Sequence, residues 1–309
     1  TDWNVPQTIT VTAVDDDLIE GLHATVISHA ASGDGYTGCV SPSVTVGIVD
    51  NDTAGVSLAE SGGSTAVTEG AVNQAPGASD TYDLVLTQLP NGTVTITAST
   101  VGGKVTVSAA GGPPGAGATL TFTIQNWNAP QTVTVVAVDD VIVEGDHTAT
   151  ISHAATGGGY DGVLIANVSA TIIDNEIPGV TVTASAGGTN VNVTEGALGQ
   201  TPGATDTYTV VLACQPSANV IVAAASAGGV TVAGPAGNNS VTFTPANWNV
   251  AQTFTVTAVD DVVVEGTHSG SISHTATGGG YFGVTISNVT ATITDNDLPS
   301  VTVTETGGA

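Results

Sequence analysis

Carboxylates recur in one short motif of this sequence and could bind a metal ion. The stretch "AVDDVIVEG" at 137–145 places Asp139, Asp140 and Glu144 within six residues. The chain has 27 Asp and Glu but one Lys or Arg, and its formal net charge is -26. Two like charges 4 Å apart repel by about 4 kcal/mol at an effective dielectric constant near 20. Grouped carboxylates without basic partners therefore indicate that a cation from solution binds here.

The acidic residues fall into three motifs that recur along the chain. "VTEG" supplies one glutamate, "VDDxxxEG" supplies two aspartates and a glutamate, and a closing "DND" or "DNE" supplies the rest. The first copy lacks the "VTEG" motif. The predicted metal ligands are Asp15, Asp16, Glu20, Asp50, Asp52, Glu69, Asp139, Asp140, Glu144, Asp174, Glu176, Glu195, Asp260, Asp261, Glu265, Asp295 and Asp297.

Calcium is the cation that these residue types favour. It takes six to eight oxygen ligands at about 2.3–2.6 Å and tolerates irregular geometry, whereas magnesium requires an octahedron and retains its waters. Zinc prefers His or Cys, which do not recur inside the acidic motifs. The alternative is that these segments are solvated acidic turns, where Asp and Asn are common. Scattered acids would be expected in that case, and these acids are grouped.

The elements that position the acids belong to a sequence repeat. "DWNVPQTITVTAVDD", "NWNAPQTVTVVAVDD" and "NWNVAQTFTVTAVDD" recur around Trp3, Trp127 and Trp248. Each complete repeat has the size of one domain. The register predicts a piece of a longer protein. It comprises the C-terminal part of a repeat at 1–54, complete repeats at 55–178 and 179–298, and the first strand of another at 299–309.

Within a repeat, apolar and polar residues alternate with period two, as in "TVTVVAV" at 132–138. Val, Ile and Thr favour strands, and Gly-rich stretches such as "TGGGY" separate the runs. The pattern predicts an all-β fold of about seven strands per repeat, arranged as Greek-key antiparallel β-sandwiches placed end to end. The three acidic motifs would then meet at one pole of each sandwich.

Composition excludes several functions. Nucleic-acid binding and adsorption to anionic membranes both require basic clusters. No apolar run reaches the ~18–20 residues of a membrane-spanning helix, so membrane insertion of this segment is not expected. Catalytic constellations usually occur once, whereas every polar motif here is copied, and we predict that the chain is not an enzyme. Cys39 and Cys214 occupy non-equivalent positions and favour free thiols over a bridge.

Together, "VTEG", "NWNxPQTVTVxAVDDxxxEG" and the closing "DND" resemble the Calx-beta domain, a β-sandwich of sodium-calcium exchangers and of large bacterial or archaeal surface proteins. The resemblance covers nearly the whole chain and implies calcium ligation by the acidic motifs. One departure is the middle of each repeat, which lacks the acidic segment that the family often carries. The implied function is a calcium-rigidified extracellular rod in a cell-surface filament, stalk or adhesin. Its implied partners are neighbouring repeats and other copies in a filament or surface array. An array of carbohydrate- or cell-recognition modules is the alternative.

Overall fold

The computed structural model describes residues 3–70, 77–196, 203–304 and 306. These residues form an all-β structure in which the only helical element is a 3-10 turn at Ser61–Gly63. Within the same residues, no helix has the length and apolar character needed to cross a membrane. Two compact units are present. Unit 1 comprises Thr1–Asp139 and Thr148–Ile173, and unit 2 comprises Asp140–His147 and Asp174–Ala309.

The first twelve strands, in chain order, are β1 (His23–Ile27), β2 (Val44–Ile48), β3 (Val56–Glu60), β4 (Ala66–Thr68), β5 (Asp80–Leu86), β6 (Val94–Thr100), β7 (Val105–Ala109), β8 (Gly117–Phe122), β9 (Gln131–Ala137), β10 (Ile142–Val143), β11 (His147–Thr156) and β12 (Val168–Ile173). In unit 1, a four-stranded sheet has the order β3-β5-β9-β7 and a five-stranded sheet has the order β4-β12-β11-β6-β8. Strands β1 and β2 form a separate antiparallel pair.

The remaining strands are β13 (Val180–Ala184), β14 (Asn190–Thr194), β15 (Asp206–Leu212), β16 (Gln215–Pro216), β17 (Val220–Ala227), β18 (Val230–Ala233), β19 (Ser240–Phe243), β20 (Gln252–Ala258), β21 (His268–Thr277) and β22 (Val289–Thr294). Unit 2 repeats the architecture of unit 1, with sheets β13-β15-β20-β18 and β14-β22-β21-β17-β19. A two-stranded parallel pair, β10-β16, is added to it.

Each unit has one core between its two sheets. Alternate residues of the strands are buried, as the period-two pattern predicts. In unit 2 the largest buried side chains include Tyr208, Phe243 and Phe254, and Tyr208 stacks on Phe254 with ring centroids 5.2 Å apart. The all-β prediction is confirmed.

The two sheets of each unit together hold nine strands, against about seven predicted. One of the additional strands arises because the first strand of each complete repeat is divided between the two sheets. In unit 2, β13 pairs antiparallel with β15, and β14 pairs parallel with β22. The carboxylate of Asp206 fixes this division. It accepts hydrogen bonds from Ser185 Oγ at 2.5 Å and from the Asn192 N–H at 2.8 Å. Asp206 lies outside the three acidic motifs, and its role in the described contacts is to hold this turn.

Candidate metal centre

Strand order explains why distant acidic residues meet at one end of unit 2. Glu195 directly follows β14, and Asp295 directly follows β22. These strands are parallel neighbours, with Thr194 opposite Thr294, so their C-terminal ends lie at the same edge of the sheet. The Asn296 side chain donates a hydrogen bond to the Gly196 carbonyl and ties the two exits together.

The "EGTH" segment reaches the same edge from the other direction. His268 begins β21, which is antiparallel to β22 and places His268 opposite Ile293. Glu265, three residues earlier, therefore lies in the loop beside the end of β22. The imidazole Nε2 of His268 is 3.4 Å from Glu265 Oε2 and 3.9 Å from Glu195 Oε1.

Asp295 holds the loops together through three backbone donors. Its Oδ2 accepts hydrogen bonds from the N–H groups of Glu265 at 2.6 Å and Gly266 at 2.7 Å. Its Oδ1 accepts one from the Asp297 N–H at 2.7 Å. These bonds, that of Asp297 foremost, hold the pKa of Asp295 below its ordinary value because they stabilise the charged carboxylate.

Glu195 is in the opposite situation. Only 4% of the residue is exposed, and its Oε2 makes no hydrogen bond to any residue that the structure describes. Burial first, and the negative charge of Asp295 second, raise the pKa of Glu195. Within the same described part of the chain, Asp297 Oδ2 also makes no hydrogen bond, and the pKa of Asp297 is raised by burial and by the charge of Asp295. A buried carboxylate oxygen without a donor is costly, so these two oxygens indicate a missing positive partner.

The ligand atoms form two overlapping groups. One oxygen each of Glu195, Asp295 and Asp297 lie within 4.8 Å of one another, and the same limit holds for Glu195, Glu265 and His268. We call Glu195, Glu265, His268, Asp295 and Asp297 the Glu195 cluster.

The Glu195 cluster fits a hard divalent cation. Four of its five members offer carboxylate oxygens, which are the ligands that calcium prefers. Two of these oxygens, on Glu195 and Asp297, have no hydrogen-bond donor among residues 3–70, 77–196, 203–304 and 306. Unit 2 contains no Lys or Arg that could replace a metal, since the one cationic residue of the chain is Lys104 in unit 1.

Asp260 and Asp261 stand apart from these two groups. Asp261 Oδ1 accepts a hydrogen bond from the Val263 N–H at 2.7 Å and shapes its own loop. The charges of both aspartates nevertheless contribute to the raised pKa of Asp297, so they lie in the same electrostatic field. The structure thus gathers four of the six acids predicted for this repeat and leaves Asp260 and Asp261 at the margin.

In the preceding repeat, the predicted ligands are divided between the two compact units. Glu69 and Asp139 belong to unit 1, and Glu69 is 3% exposed at the end of β4. Asp140, Glu144, Asp174 and Glu176 belong to unit 2. There Asp174 Oδ2 accepts the N–H groups of Glu144 at 2.8 Å and Gly145 at 2.6 Å, as Asp295 does in its own loop.

The leading copy lies wholly in unit 1 and lines a cavity of about 140 Å³. Asp50 Oδ2 accepts the N–H groups of Glu20 and Gly21, both at 2.8 Å. The lining residues that carry ionisable side chains are Asp15, Asp16, Glu20, His23, Asp50 and Asp52.

Sequence reasoning missed the histidine of the cluster. The spacing "EGxH" recurs at Glu20–His23, Glu144–His147 and Glu265–His268, which is the signal that could have revealed it. His23 and His147 lie 3.3 Å and 3.5 Å from the glutamate three residues before them. A second histidine follows six residues after each of these, and in unit 2 it is part of the packing of the sandwich. His274 Nε2 is 2.8 Å from Tyr208 Oη, and its Nδ1 is 3.1 Å from the Ser287 carbonyl oxygen.

No protein-family model matches the sequence, and no curated protein matches it. Solved structures that are similar to the chain include the calcium binding domain CBD12 of CALX1.1, at 13% identity and a TM-score of 0.25, covering 71% of this chain and 80% of that one. The apo form of the Calx CBD1 domain has 15% identity and a TM-score of 0.26, with coverages of 39% and 98%. The D00-D0 domain of intimin has 13% identity and a TM-score of 0.26, with coverages of 79% and 100%. At these TM-scores the similarities assign no function to the chain.

Proposed function

We propose that the chain is an extracellular structural or adhesive module whose repeated acidic clusters bind Ca²⁺. The proposal rests on the surroundings of the Glu195 side chain. The Glu195 carboxylate is almost fully buried and lies among Asp295, Asp297 and Glu265, and one of its oxygens has no hydrogen-bond donor among the described residues. A bound cation supplies the positive charge that the sequence does not provide.

The proposed mechanism is thermodynamic linkage. A cation that binds only the folded arrangement stabilises it by RT ln(1 + [L]/Kd), where [L] is the free cation concentration. This is about 2.7 kcal/mol per site when [L] is about 100 times Kd. Extracellular calcium modules typically bind with Kd values of about 0.1–1 mM, so the site would be filled outside cells and not in cytosol. Calcium would thereby stiffen a rod of sandwiches in a filament, stalk or adhesin.

The chain's own residues prepare the site. Asp295 organises the loop that carries Glu265 through its bonds to the Glu265 and Gly266 N–H groups. The parallel pairing of β14 with β22 fixes Glu195 beside Asp295. Hence the cation would meet a largely preformed set of oxygens.

A carbohydrate-recognition array, the alternative, draws no support from the tryptophans of the two complete repeats. Trp127 and Trp248 are partly buried and pack against the cores of units 1 and 2. A stacking platform for sugars needs such rings to be open to solvent.

The test is a calcium titration of the full chain followed by thermal melting and small-angle X-ray scattering. Calcium should raise Tm, and it should increase the maximum particle dimension or narrow the range of particle dimensions. Magnesium at the same concentration should change these quantities much less. If neither Tm nor particle dimensions respond to calcium, the proposal is wrong.

A further inference from the structure

An apolar segment recurs between the aspartates and the glutamate of each "DDxxxEG" motif. Its three copies are 17–19 (Asp-Leu-Ile), 141–143 (Val-Ile-Val) and 262–264 (Val-Val-Val). We call each copy a bridging segment. Two of the three are covered by a sandwich, and the third is open.

The bridging segment at 141–143 is built into unit 2. Its residues Ile142 and Val143 form β10, which pairs in parallel with Gln215 and Pro216 of β16. The Gln215 N–H also donates to the Val141 carbonyl at 2.9 Å. Val143 is 5% exposed and belongs to the hydrophobic core of unit 2.

The bridging segment at 17–19 makes the same contacts in unit 1. Leu18 forms a parallel bridge with Leu89, which occupies the position of Gln215. The Leu89 N–H donates to the Asp17 carbonyl at 3.0 Å, and the Ile19 N–H donates to the Leu89 carbonyl at 3.1 Å. Ile19 packs against the core of unit 1, as Val143 does in unit 2.

A glycine makes room for the aliphatic side chain in both units. Gly159 and Gly280 are the third glycines of the two "GGGY" loops, with φ of +87° and +86°. A Cβ on Gly159 would lie 2.9 Å from Ile19 Cγ2, and one on Gly280 would lie 2.6 Å from Val143 Cγ1. The X-Pro strand edge is Leu89-Pro90 in unit 1 and Gln215-Pro216 in unit 2. We call this edge together with the glycine the acceptor site, and it recurs in both units.

The third bridging segment has the conformation but not the partner. Val262, Val263 and Val264 are 69%, 54% and 51% exposed. The Val263 N–H donates to Asp261 Oδ1 at 2.7 Å, as the Ile142 N–H does to Asp140 Oδ1 at 2.8 Å and the Leu18 N–H to Asp16 Oδ1 at 2.9 Å. The segment is thus preorganised while its valines remain in water.

We propose that Val262–Val264 is a docking strand for a further sandwich of this same repeat type. It would add in parallel to the X-Pro edge of that sandwich, with Val264 seated on the third glycine of its "GGGY" loop. Both acceptor sites in the described residues are filled by bridging segments of this chain, so the occupant must bring an acceptor site of its own. The contact is apolar and backbone-mediated, goes beyond the proposed calcium function and does not require calcium.

Thiol accessibility in a lengthened chain tests the proposal. In the lengthened chain, residues 301–309 are replaced by a second copy of residues 180–297. The Leu298–Ser300 linker is thereby preserved. Val264→Cys is introduced together with Cys39→Ser and with Cys214→Ala in both copies, so that position 264 carries the single thiol of the chain. In the 309-residue chain the thiol at position 264 should react freely with a maleimide, while Val143→Cys in the same background should be protected. In the lengthened chain the rate at position 264 should fall at least tenfold, with and without EDTA.

A matched pair of glycine variants in the appended copy identifies the contact. Replacement at the position of Gly280 by Ala should restore the reactivity of the thiol at position 264. Replacement at the position of Gly283 by Ala should not, because Gly283 also has a positive φ, of +79°, but nothing lies within 4 Å of its would-be Cβ. The gain in β-sheet circular dichroism shows that the appended sandwich has folded. An unchanged labelling rate with that gain present, or equal effects of the two glycine variants, would overturn the proposal.

Discussion

The carboxylate of Glu195 lies 3.9 Å from the imidazole of His268, a partner that is charged only when protonated. Burial and the negative charge of Asp295 raise the pKa of Glu195, and the nearby His268 lowers it by less. This relationship makes the stability of unit 2 depend on pH and on cations together.

Replacement of Glu195 by Gln should stabilise the calcium-free protein as pH rises. The pKa of Glu195 in the folded state is raised above its ordinary value of 4.5, so the folded wild type holds the proton more readily than the unfolded chain. The free energy of unfolding of the wild type therefore decreases as pH rises through the folded-state pKa of Glu195. The Glu195→Gln variant lacks this loss. Chemical denaturation in EDTA from pH 4 to pH 8 measures the difference, with the exposed Asp34→Asn as the control for removing one charge. A difference that does not grow with pH contradicts the assigned burial of Glu195.

His274 should make acid destabilise unit 2. Burial lowers the pKa of His274 below the ordinary 6.5, and the imidazole is held neutral between Tyr208 and the Ser287 carbonyl. The unfolded chain then binds the proton more readily, so stability present above about pH 6.5 is lost as pH falls through the folded pKa. His274→Gln should flatten this part of the stability profile. His29→Gln, at the exposed equivalent position, should not, and similar profiles for the two variants would refute the argument.

Truncation of the seated valine should cost stability, whereas truncation of its open counterpart should not. Val143→Ala removes two buried methyl groups at roughly 0.8 kcal/mol each and should lower the free energy of unfolding of unit 2 by about 1–2 kcal/mol. Val264→Ala alters an exposed side chain and should change it by less than about 0.5 kcal/mol. Urea denaturation of the two variants beside the wild type measures both values. Equal effects would show that Val143 is not part of the core.

The hydroxyl of Tyr281 should contribute more to the free energy of unfolding than the hydroxyl of Tyr36. Tyr281 Oη donates to the Cys214 carbonyl at 2.6 Å and accepts the Cys214 N–H at 3.1 Å. Tyr281→Phe leaves these half-buried backbone groups without their partner and should cost about 1–3 kcal/mol. Tyr36 is the sequence equivalent in the leading copy and is 63% exposed, so Tyr36→Phe should change stability by less than about 0.5 kcal/mol. Comparable losses in the two thermal melts would be inconsistent with this role.

Period-two alternation was enough to predict the all-β fold, because burial on one face of a strand leaves its mark on every second residue. The division of the first strand was not predictable, since it depends on the Asp206 carboxylate, which accepts hydrogen bonds from groups 21 and 14 residues earlier in the sequence. Cys39 and Cys214 do not form a disulfide with each other in the structure.

Glu195 lies beside Asp295 because β14 and β22 are parallel neighbours. The repetition of the acidic motifs suggested that these residues meet, but it did not reveal the strand pair that brings them together. The role of 141–143 was hidden for a different reason. Its pattern reads as an acidic loop with three aliphatic residues, and only the fold shows that Val143 enters the core of unit 2. The compact units consequently divide the chain at 139/140, 147/148 and 173/174, whereas the repeat boundaries of the sequence remain a prediction.

The central claim is that the Glu195 cluster binds calcium, and equilibrium dialysis of the full chain with radioactive Ca²⁺ tests it most directly. Wild type and Asp34→Asn should bind calcium with Kd values near 0.1–1 mM, and Glu195→Gln should bind at least one equivalent fewer. Binding curves for Glu195→Gln that coincide with those of wild type, or no saturable binding by the wild type up to 10-fold above that range, about 10 mM, would contradict the account.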